Sequence, residues 1–184
     1  MKITFIIGGS RSGKSSFALQ EASRLSGRKA FVATAEALDD EMRDRIEKHK
    51  IERGSEWDTF EEPLALAALI RSVTDSHNAI VLDCLTIWLS NLLIRAQLPE
   101  DKEQTTEESI EEFIDTLLGL KDRQQLPEEG RLFVVTNEVG MGIVPENKLA
   151  RQFRDLAGTL HQRLAGIADE VYSVTAGIPM RIKG

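Results

Sequence analysis

The chain is poor in the features that mark secreted or membrane proteins. Its 184 residues contain one cysteine, Cys84, so no disulfide can form within the chain, and we expect a reducing compartment, the cytoplasm. Apolar runs are short, and none approaches the roughly 18 residues of a membrane span. The first residues read as a core strand, not as a signal peptide. We therefore expect neither a membrane span nor secretion.

Internal repeats, low-complexity tracts and linker-like stretches are also missing from the sequence. Domains commonly contain about 100–200 residues, which is enough to bury a sizeable core. We therefore expect residues 1–184 to form a single domain.

Positive charge is not in excess, because the formal net charge is −7. This balance argues against a surface for nucleic acid. The acidity is concentrated between positions 99 and 129, which hold eleven acidic and three basic residues. The rest of the chain is close to neutral, so it need not repel phosphate groups. A charge run of this kind is usually solvated surface.

The strongest motif lies at the start of the chain. An apolar run over residues 3–7 leads into Gly8-Gly9-Ser10-Arg11-Ser12-Gly13-Lys14-Ser15, which matches the complete P-loop pattern, and a helix-forming segment follows. The two glycines of the pattern let successive N–H groups converge on phosphate oxygens. Lys14 is expected at the β- and γ-phosphates, and the Ser15 hydroxyl at Mg²⁺. The alternative, a glycine-rich turn that binds nothing, fits the complete motif less well.

Strand-like and helix-like segments alternate along the rest of the chain. Strands are predicted at residues 29–34, 57–60, 79–83, 131–136, 170–174 and 180–182, and helices at 38–53, 63–70, 85–96, 107–123 and 147–168. This alternation is typical of an α/β fold with a mostly parallel sheet flanked by helices. Together with the motif, it predicts a P-loop NTPase-like domain.

Ligands of such sheets bind beyond the carboxyl ends of the strands. Four predicted strand ends carry candidate residues: the P-loop, Ala33-Thr34-Ala35, Asp83 and Thr136-Asn137-Glu138. We expect these segments to share one site.

Asp83 closes an apolar strand, which is the usual position of the acid that holds Mg²⁺ in P-loop enzymes. Mg²⁺ prefers oxygen ligands and keeps several waters, so the carboxylate could act directly or through water. The alternative is that Asp83 caps the helix predicted from Leu85.

His49 lies near the end of the predicted helix 38–53. Five basic and three acidic residues occupy positions 43–53. Neighbouring cations favour the neutral imidazole, which is a nucleophile, and they would stabilise a phosphoryl group under attack. A structural histidine at the helix end is the alternative. His77 and His161 lack such neighbours and are interpreted as structural or solvated.

Eight stretches together resemble one enzyme family. They are residues 8–15, 39–42, 49–53, 57–63, 83–86, 135–147, 150–155 and 177–179. Over essentially the whole chain, the sequence resembles the bifunctional adenosylcobinamide kinase / adenosylcobinamide-phosphate guanylyltransferase family. The likeness is strongest over residues 135–147. Some members of the family carry Glu at the position of Asp83.

This resemblance implies a late step of cobalamin biosynthesis. The family phosphorylates adenosylcobinamide with ATP or GTP, and then transfers GMP from GTP to adenosylcobinamide phosphate with release of pyrophosphate. His49 matches the histidine that the family guanylylates. The implied nucleotide contacts are the P-loop residues, Ala33, Thr34, Ala35, Lys50, Ile51, Glu52, Arg53, Glu61 and Asp83. The resemblance further implies Mg²⁺ and a homo-oligomer, commonly a trimer.

Two other functions are considered. One is a kinase for another small alcohol, with His49 structural. The other is a regulatory GTPase, which the sequence opposes because residues 136–138 do not match the Asn-Lys-x-Asp guanine-binding motif and no switch-loop glycine follows Asp83 at the required spacing.

Overall fold

The fold is an α/β sheet with helices on both faces. The computed structural model describes residues 1–36, 56–98, 104–122 and 130–184. The strands in these ranges are β1 (Lys2–Gly8), β2 (Lys29–Ala33), β3 (Trp57–Glu61), β4 (Ala79–Asp83), β5 (Arg131–Asn137), β6 (Glu170–Thr175) and β7 (Ile178–Lys183). The helices are α1 (Lys14–Ser23), α2 (Leu66–Thr74), α3 (Leu85–Arg95), α4 (Thr106–Asp122) and α5 (Lys148–Ile167).

The strands form one sheet in the order β3-β2-β4-β5-β1-β6-β7. Every neighbouring pair is parallel except β6 and β7, which are antiparallel. The prediction of a mostly parallel sheet is confirmed. The strand β5 lies between β1, which leads into the P-loop, and β4, which ends at Asp83.

The core has two layers because alternate strand residues point to opposite faces of the sheet. On one face, Ile3 and Phe5 of β1 and the buried residues of β2, β4 and β5 that point the same way pack against α2, α3, α4 and α5. On the other face, Ile6 and Val135 pack with Ala18 and Ala22 of α1. The central strands are buried on both sides, which explains their continuous apolar sequences.

The predicted start of the helix α2 at Pro63 is wrong by three residues. The helix begins at Leu66. The Glu62 carboxylate accepts hydrogen bonds from the backbone amides of Leu64 (2.9 Å) and Ala65 (2.8 Å). Residues 62–65 thus form a turn bonded to this side chain, and the helix follows the turn.

Among the described residues, no helix combines the length and apolar character that a bilayer crossing requires.

Candidate active site

The P-loop joins β1 to α1, and two of its glycines are required by the geometry. Gly13 is the N-cap of α1 and has φ +97°, in the left-handed region that a side chain disfavours. Gly8 lies against the next strand, because a Cβ at this position would come within 2.3 Å of the carbonyl oxygen of Val174. The sequence pattern therefore marks positions where only glycine fits.

Lys14 is the first residue of α1, and its side chain turns back across the loop. Its Nζ donates a 2.6 Å hydrogen bond to the carbonyl oxygen of Gly9, and only 6% of the residue is exposed. Burial lowers the pKa of the Lys14 ammonium, and the nearby carboxylate of Asp83 partly opposes this shift. The ammonium is therefore sheltered from water beside the loop, where an attraction to phosphate is strong.

The turn between β6 and β7 is hydrogen-bonded to the P-loop. The backbone amide of Gly177 donates a 2.8 Å hydrogen bond to the carbonyl oxygen of Ser12. The Ser12 hydroxyl is buried and has no hydrogen-bond partner among the described residues. The loop is thus held by the neighbouring turn as well as by its own helix.

Three predicted nucleotide-binding residues form a row across neighbouring strands. Ala33 on β2 is in register with Glu61 on β3 and with Asp83 on β4. Neighbouring strands are about 4.8 Å apart, so the two carboxylate residues flank Ala33 at one edge of the sheet. The structure brings these residues together, and their contact with a nucleotide stays a prediction.

Thr34 ties the ends of β2 and β4 to each other. Its Oγ1 donates to the carbonyl oxygen of Cys84 at 2.8 Å and accepts from the amide of Cys84 at 3.0 Å. Asn91 of α3 donates to the carbonyl oxygens of Thr34 (2.9 Å) and Pro63 (3.2 Å). The two bonds between Thr34 and Cys84 hold the backbone in place directly after Asp83.

The residue at the N-cap of α3 is Cys84, which makes no side-chain capping bond, and Asp83 is the last residue of β4. The N-cap position of α3 thus belongs to Cys84, one residue after Asp83. Burial, and secondly the charge of Asp83, raise the pKa of the Cys84 thiol. This cysteine stays protonated at neutral pH and is not a competing nucleophile.

The end of β5 lies between the P-loop and Asp83. Asn137 pairs with Gly8 in the β1–β5 register, and the amide of Glu138 donates a 2.9 Å hydrogen bond to the Gly8 carbonyl oxygen. The Asn137 side chain donates to Thr86 Oγ1 at 3.1 Å. The four strand ends predicted from the sequence therefore meet at one edge of the sheet.

His161 is a neighbour of this edge that the sequence did not assign to it. Its Nε2 and Thr136 Oγ1 are 2.8 Å apart, and the residue is buried. Burial lowers the pKa of His161, and the charge of Glu138 opposes the shift. His77 is also buried, and its Nε2 lies 2.9 Å from the Asp58 carboxylate. Both histidines are thus buried and lie within hydrogen-bond distance of a partner, which agrees with the interpretation of them as structural residues.

The predicted nucleophile His49 and the predicted nucleotide contacts Lys50, Ile51, Glu52 and Arg53 lie outside the described residues.

Comparison with a solved structure agrees with the fold. An ATPase from the type III secretion system of pathogenic bacteria superposes with a TM-score of 0.51 at 11% identity, over 95% of this chain and 51% of that one. The chain thus spans about half of the ATPase chain. The P-loop NTPase-like fold predicted from the sequence is confirmed.

Sequence comparison identifies much closer relatives. The chain is 41% identical to the bifunctional adenosylcobalamin biosynthesis protein CobP of Pseudomonas aeruginosa, over 97% of this chain and 96% of the relative. It is 43% identical to CobU of Salmonella typhimurium and 40% identical to CobU of Escherichia coli, over 97% of this chain and 98% of each relative. Residues 4–182 match the cobinamide kinase / cobinamide phosphate guanyltransferase family. With this match over nearly its whole length, and a P-loop and an acidic strand end at one edge of its sheet, the chain belongs to that family.

Proposed function

We propose that the chain catalyses two successive transfers to adenosylcobinamide. It first phosphorylates the aminopropanol hydroxyl with ATP or GTP. It then transfers GMP from GTP to adenosylcobinamide phosphate through a guanylyl-histidine at His49, giving adenosylcobinamide-GDP and pyrophosphate. The observation that carries this proposal is the complete P-loop, with its buried Lys14, in a chain that belongs to the cobinamide kinase / guanyltransferase family.

The kinase step depends on positioning more than on covalent chemistry. The amides of the P-loop and the Lys14 ammonium hold the β- and γ-phosphates. The acceptor hydroxyl oxygen attacks the γ-phosphorus, the bond to the β–γ bridging oxygen breaks, and the nucleoside diphosphate leaves. The hydroxyl proton is released to solvent. The hydrogen bond from Gly177 to Ser12 supports this step, because it restrains the loop that fixes the γ-phosphorus.

The guanylyl transfer uses the same phosphate cradle for a different leaving group. A nitrogen of His49 attacks the α-phosphorus of GTP, and the bond to the α–β bridging oxygen breaks, so that pyrophosphate leaves from the P-loop. A phosphate oxygen of adenosylcobinamide phosphate then attacks the same phosphorus and breaks its bond to nitrogen. This restores His49 and divides one difficult transfer into two easier ones. The basic residues at positions 43–53 support the assignment of His49.

We propose Ser15 and Asp83 as the residues that hold Mg²⁺ together with the nucleotide phosphates. Their oxygens are of the hard type that Mg²⁺ prefers, and one or two such ligands suffice when phosphates supply the others. The electrostatic influence of Asp83 on Lys14 supports its closeness to the phosphate cradle. When bound, the ion would neutralise the charge that develops on the phosphate oxygens.

The remaining nucleotide contacts are assigned to segments around this cradle. They are Gly8, Gly9, Ser10, Arg11, Ser12, Gly13, Ala33, Thr34, Ala35, Lys50, Ile51, Glu52, Arg53 and Glu61. The register of Glu61, Ala33 and Asp83 across β3, β2 and β4 supports the assignment of this group.

We also propose that one domain carries both reactions in the cytoplasm and works as a homo-oligomer, commonly a trimer in this family. The strand β7 supports the oligomer, because it lies at the edge of the sheet with Ile178, Met180 and Ile182 exposed. Exposed edge strands with apolar side chains tend to pair with another chain.

The proposal is tested by product analysis of the purified full-length chain with adenosylcobinamide, Mg²⁺ and nucleotide. With ATP, mass spectrometry should detect adenosylcobinamide phosphate, and adding GTP should convert it to adenosylcobinamide-GDP with one pyrophosphate released per product. Phosphorylation without guanylylation would favour the kinase-only alternative. Slow GTP hydrolysis without modification of the corrinoid would favour the regulatory GTPase.

A further inference from the structure

The loop between β5 and α5 exposes large apolar side chains in a short stretch. Met141 is 92% exposed, Ile143 is 97% exposed and Val144 is 60% exposed. Chains normally keep such side chains away from water unless they contact a partner or a ligand. We call residues 140–145 the apolar loop.

The apolar loop lies directly beside the predicted nucleotide site. It follows β5, whose carboxyl end separates the P-loop from Asp83. Just before the loop, the amide of Glu138 donates to the carbonyl oxygen of Gly8. The apolar loop therefore starts at the sheet edge where α/β proteins bind ligands, two residues after the contact with Gly8 of the P-loop.

Both ends of the apolar loop are anchored, although its tip is exposed. At the start, the amide of Gly140 donates to the Glu138 carboxylate. At the end, Arg151 Nη1 donates to the carbonyl oxygens of Pro145 (3.0 Å) and Glu146 (2.5 Å). Asn147 caps α5 by accepting from the amide of Ala150 at 3.0 Å. These contacts preorganise a surface without covering its apolar side chains, which lowers the entropic cost of binding.

We propose that the apolar loop binds the corrin ring of the acceptor, and that Met141 and Ile143 are its main contacts. This inference rests on the proposed function, since it assigns a place to the acceptor of the same reaction. A corrin ring is broad and rimmed with methyl groups, so it has apolar surface to bury against such a loop. Its aminopropanol arm would then extend from the ring toward the γ-phosphate.

A second copy of the chain is the other possible occupant, and the structure favours a different surface for it. β7 is an unpaired strand edge on the far side of β6 from the P-loop strand. The apolar loop follows a central strand, presents no strand edge among the described residues, and adjoins the nucleotide site. We therefore assign the strand edge to the oligomer and the loop to the corrinoid.

The test replaces Met141 and Ile143 together by serine in the full-length chain. Because these side chains make almost no contact in the free protein, the unfolding temperature should not change. The KM for adenosylcobinamide in the kinase assay should rise about tenfold or more, through loss of apolar burial. The KM for ATP should stay at the wild-type value.

Two matched variants control this experiment. Replacing the same two residues by leucine keeps the surface apolar and should retain the wild-type KM for adenosylcobinamide. Ile94→Ser removes another exposed apolar side chain (55% exposed) from α3, about 13 Å along the helix from its first residue, and should have no effect on either KM.

The outcomes separate the inference from the proposed function. An unchanged KM for adenosylcobinamide in the serine variant overturns the inference, and so does an equal rise of both KM values, which would indicate distortion of the nucleotide site. Dissociation of the oligomer with unchanged corrinoid affinity would assign the loop to a second copy instead. If the wild-type chain neither binds nor phosphorylates adenosylcobinamide, the proposed function itself fails.

Discussion

The backbone amide of Gly177 donates a 2.8 Å hydrogen bond to the carbonyl oxygen of Ser12, which links the turn between the last two strands to the P-loop. The two segments are more than 160 positions apart in the sequence. Their contact is close, because a Cβ at Gly13 would come within 3.1 Å of the Gly177 Cα. The phosphate-binding loop is therefore supported by the C-terminal turn, and this close contact leaves no room for a side chain at Gly13.

Gly13→Ala should damage both the fold and nucleotide binding. An alanine at φ +97° costs about 1–2 kcal/mol of unfolding free energy, and the added methyl group would press on Gly177. Gly177→Ala places an alanine at φ +80°, so its backbone strain should lower the unfolding free energy by about the same 1–2 kcal/mol. Its added methyl group would meet no atom within 4 Å and so adds no steric clash. Gly9→Ala is the matched control, because an added methyl would meet no atom within 4 Å. Urea unfolding measures each cost, and equal stability of all three variants would contradict this account.

Lys14→Ala should abolish both activities while the chain stays folded. Removing one preorganised charge donor from a site of this kind commonly costs about 100-fold to 1,000-fold in rate. The fold should persist, since burying an ammonium is itself unfavourable. Both rates and the circular dichroism spectrum check this expectation. A folded variant that turns over at the wild-type rate would rule out the P-loop as the catalytic phosphate site.

Asp83→Asn should weaken the response to Mg²⁺. The substitution keeps the shape of the side chain and removes its charge, so about 10–100-fold more Mg²⁺ should be needed for half-maximal rate. Asp83→Glu keeps the carboxylate, so the Mg²⁺ concentration that it needs for half-maximal rate should lie between those of wild type and the asparagine variant. A magnesium titration of the asparagine variant that overlays the wild-type curve would exclude a role of Asp83 at the metal.

Stability should fall in mildly acidic solution because of His161. Burial lowers the pKa of this imidazole in the folded chain below its ordinary value near 6.5. The unfolded chain therefore takes up this proton at higher pH than the folded chain does, and the unfolding free energy decreases as the pH falls below about 6.5. Above that pH the contribution of His161 is constant.

His161→Gln provides the comparison for this pH effect. Glutamine can still bond to Thr136 Oγ1 but does not titrate, so the difference between variant and wild type isolates the imidazole from the carboxylates. Urea unfolding of both proteins between pH 5 and 7.5 should show that wild type loses more stability than the variant below about pH 6.5, so the difference between the two unfolding free energies changes with pH. Parallel curves would indicate that His161 does not titrate in this range.

Local patterns predicted most of the elements. The apolar run before Gly8 and the helix-forming run after Lys14 are β1 and α1, and the helix predicted over residues 147–168 is observed as Lys148–Ile167. These segments are determined by neighbouring residues, since periodicity and turn chemistry act over short distances. The start of α2 was missed because residues 62–65 form a turn, in which the Glu62 carboxylate accepts from the amides of Leu64 and Ala65, before the helix begins at Leu66.

Long-range relationships were not accessible in the same way. No pattern in β5 indicates that it lies between β1 and β4, and nothing near His161 indicates that it bonds to Thr136 below the site. Such pairings depend on packing of the whole sheet. The rule that ligands bind at the carboxyl ends of strands was still sufficient to collect the P-loop, Thr34, Asp83 and Glu138 at one edge.

The guanylyl-histidine is tested most directly by incubating the full-length chain with GTP labelled at the α-phosphate, followed by denaturing electrophoresis. We expect wild type to take up this label, to take up none from γ-labelled GTP, and to hold it in an acid-labile, alkali-stable bond, as a phosphoramidate does. His49→Ala should lose the label and the guanylyl transfer, whereas phosphorylation of adenosylcobinamide should largely survive, because that phosphoryl group passes directly to the alcohol. A His49→Ala protein that still becomes labelled would contradict the assignment of His49 as the nucleophile.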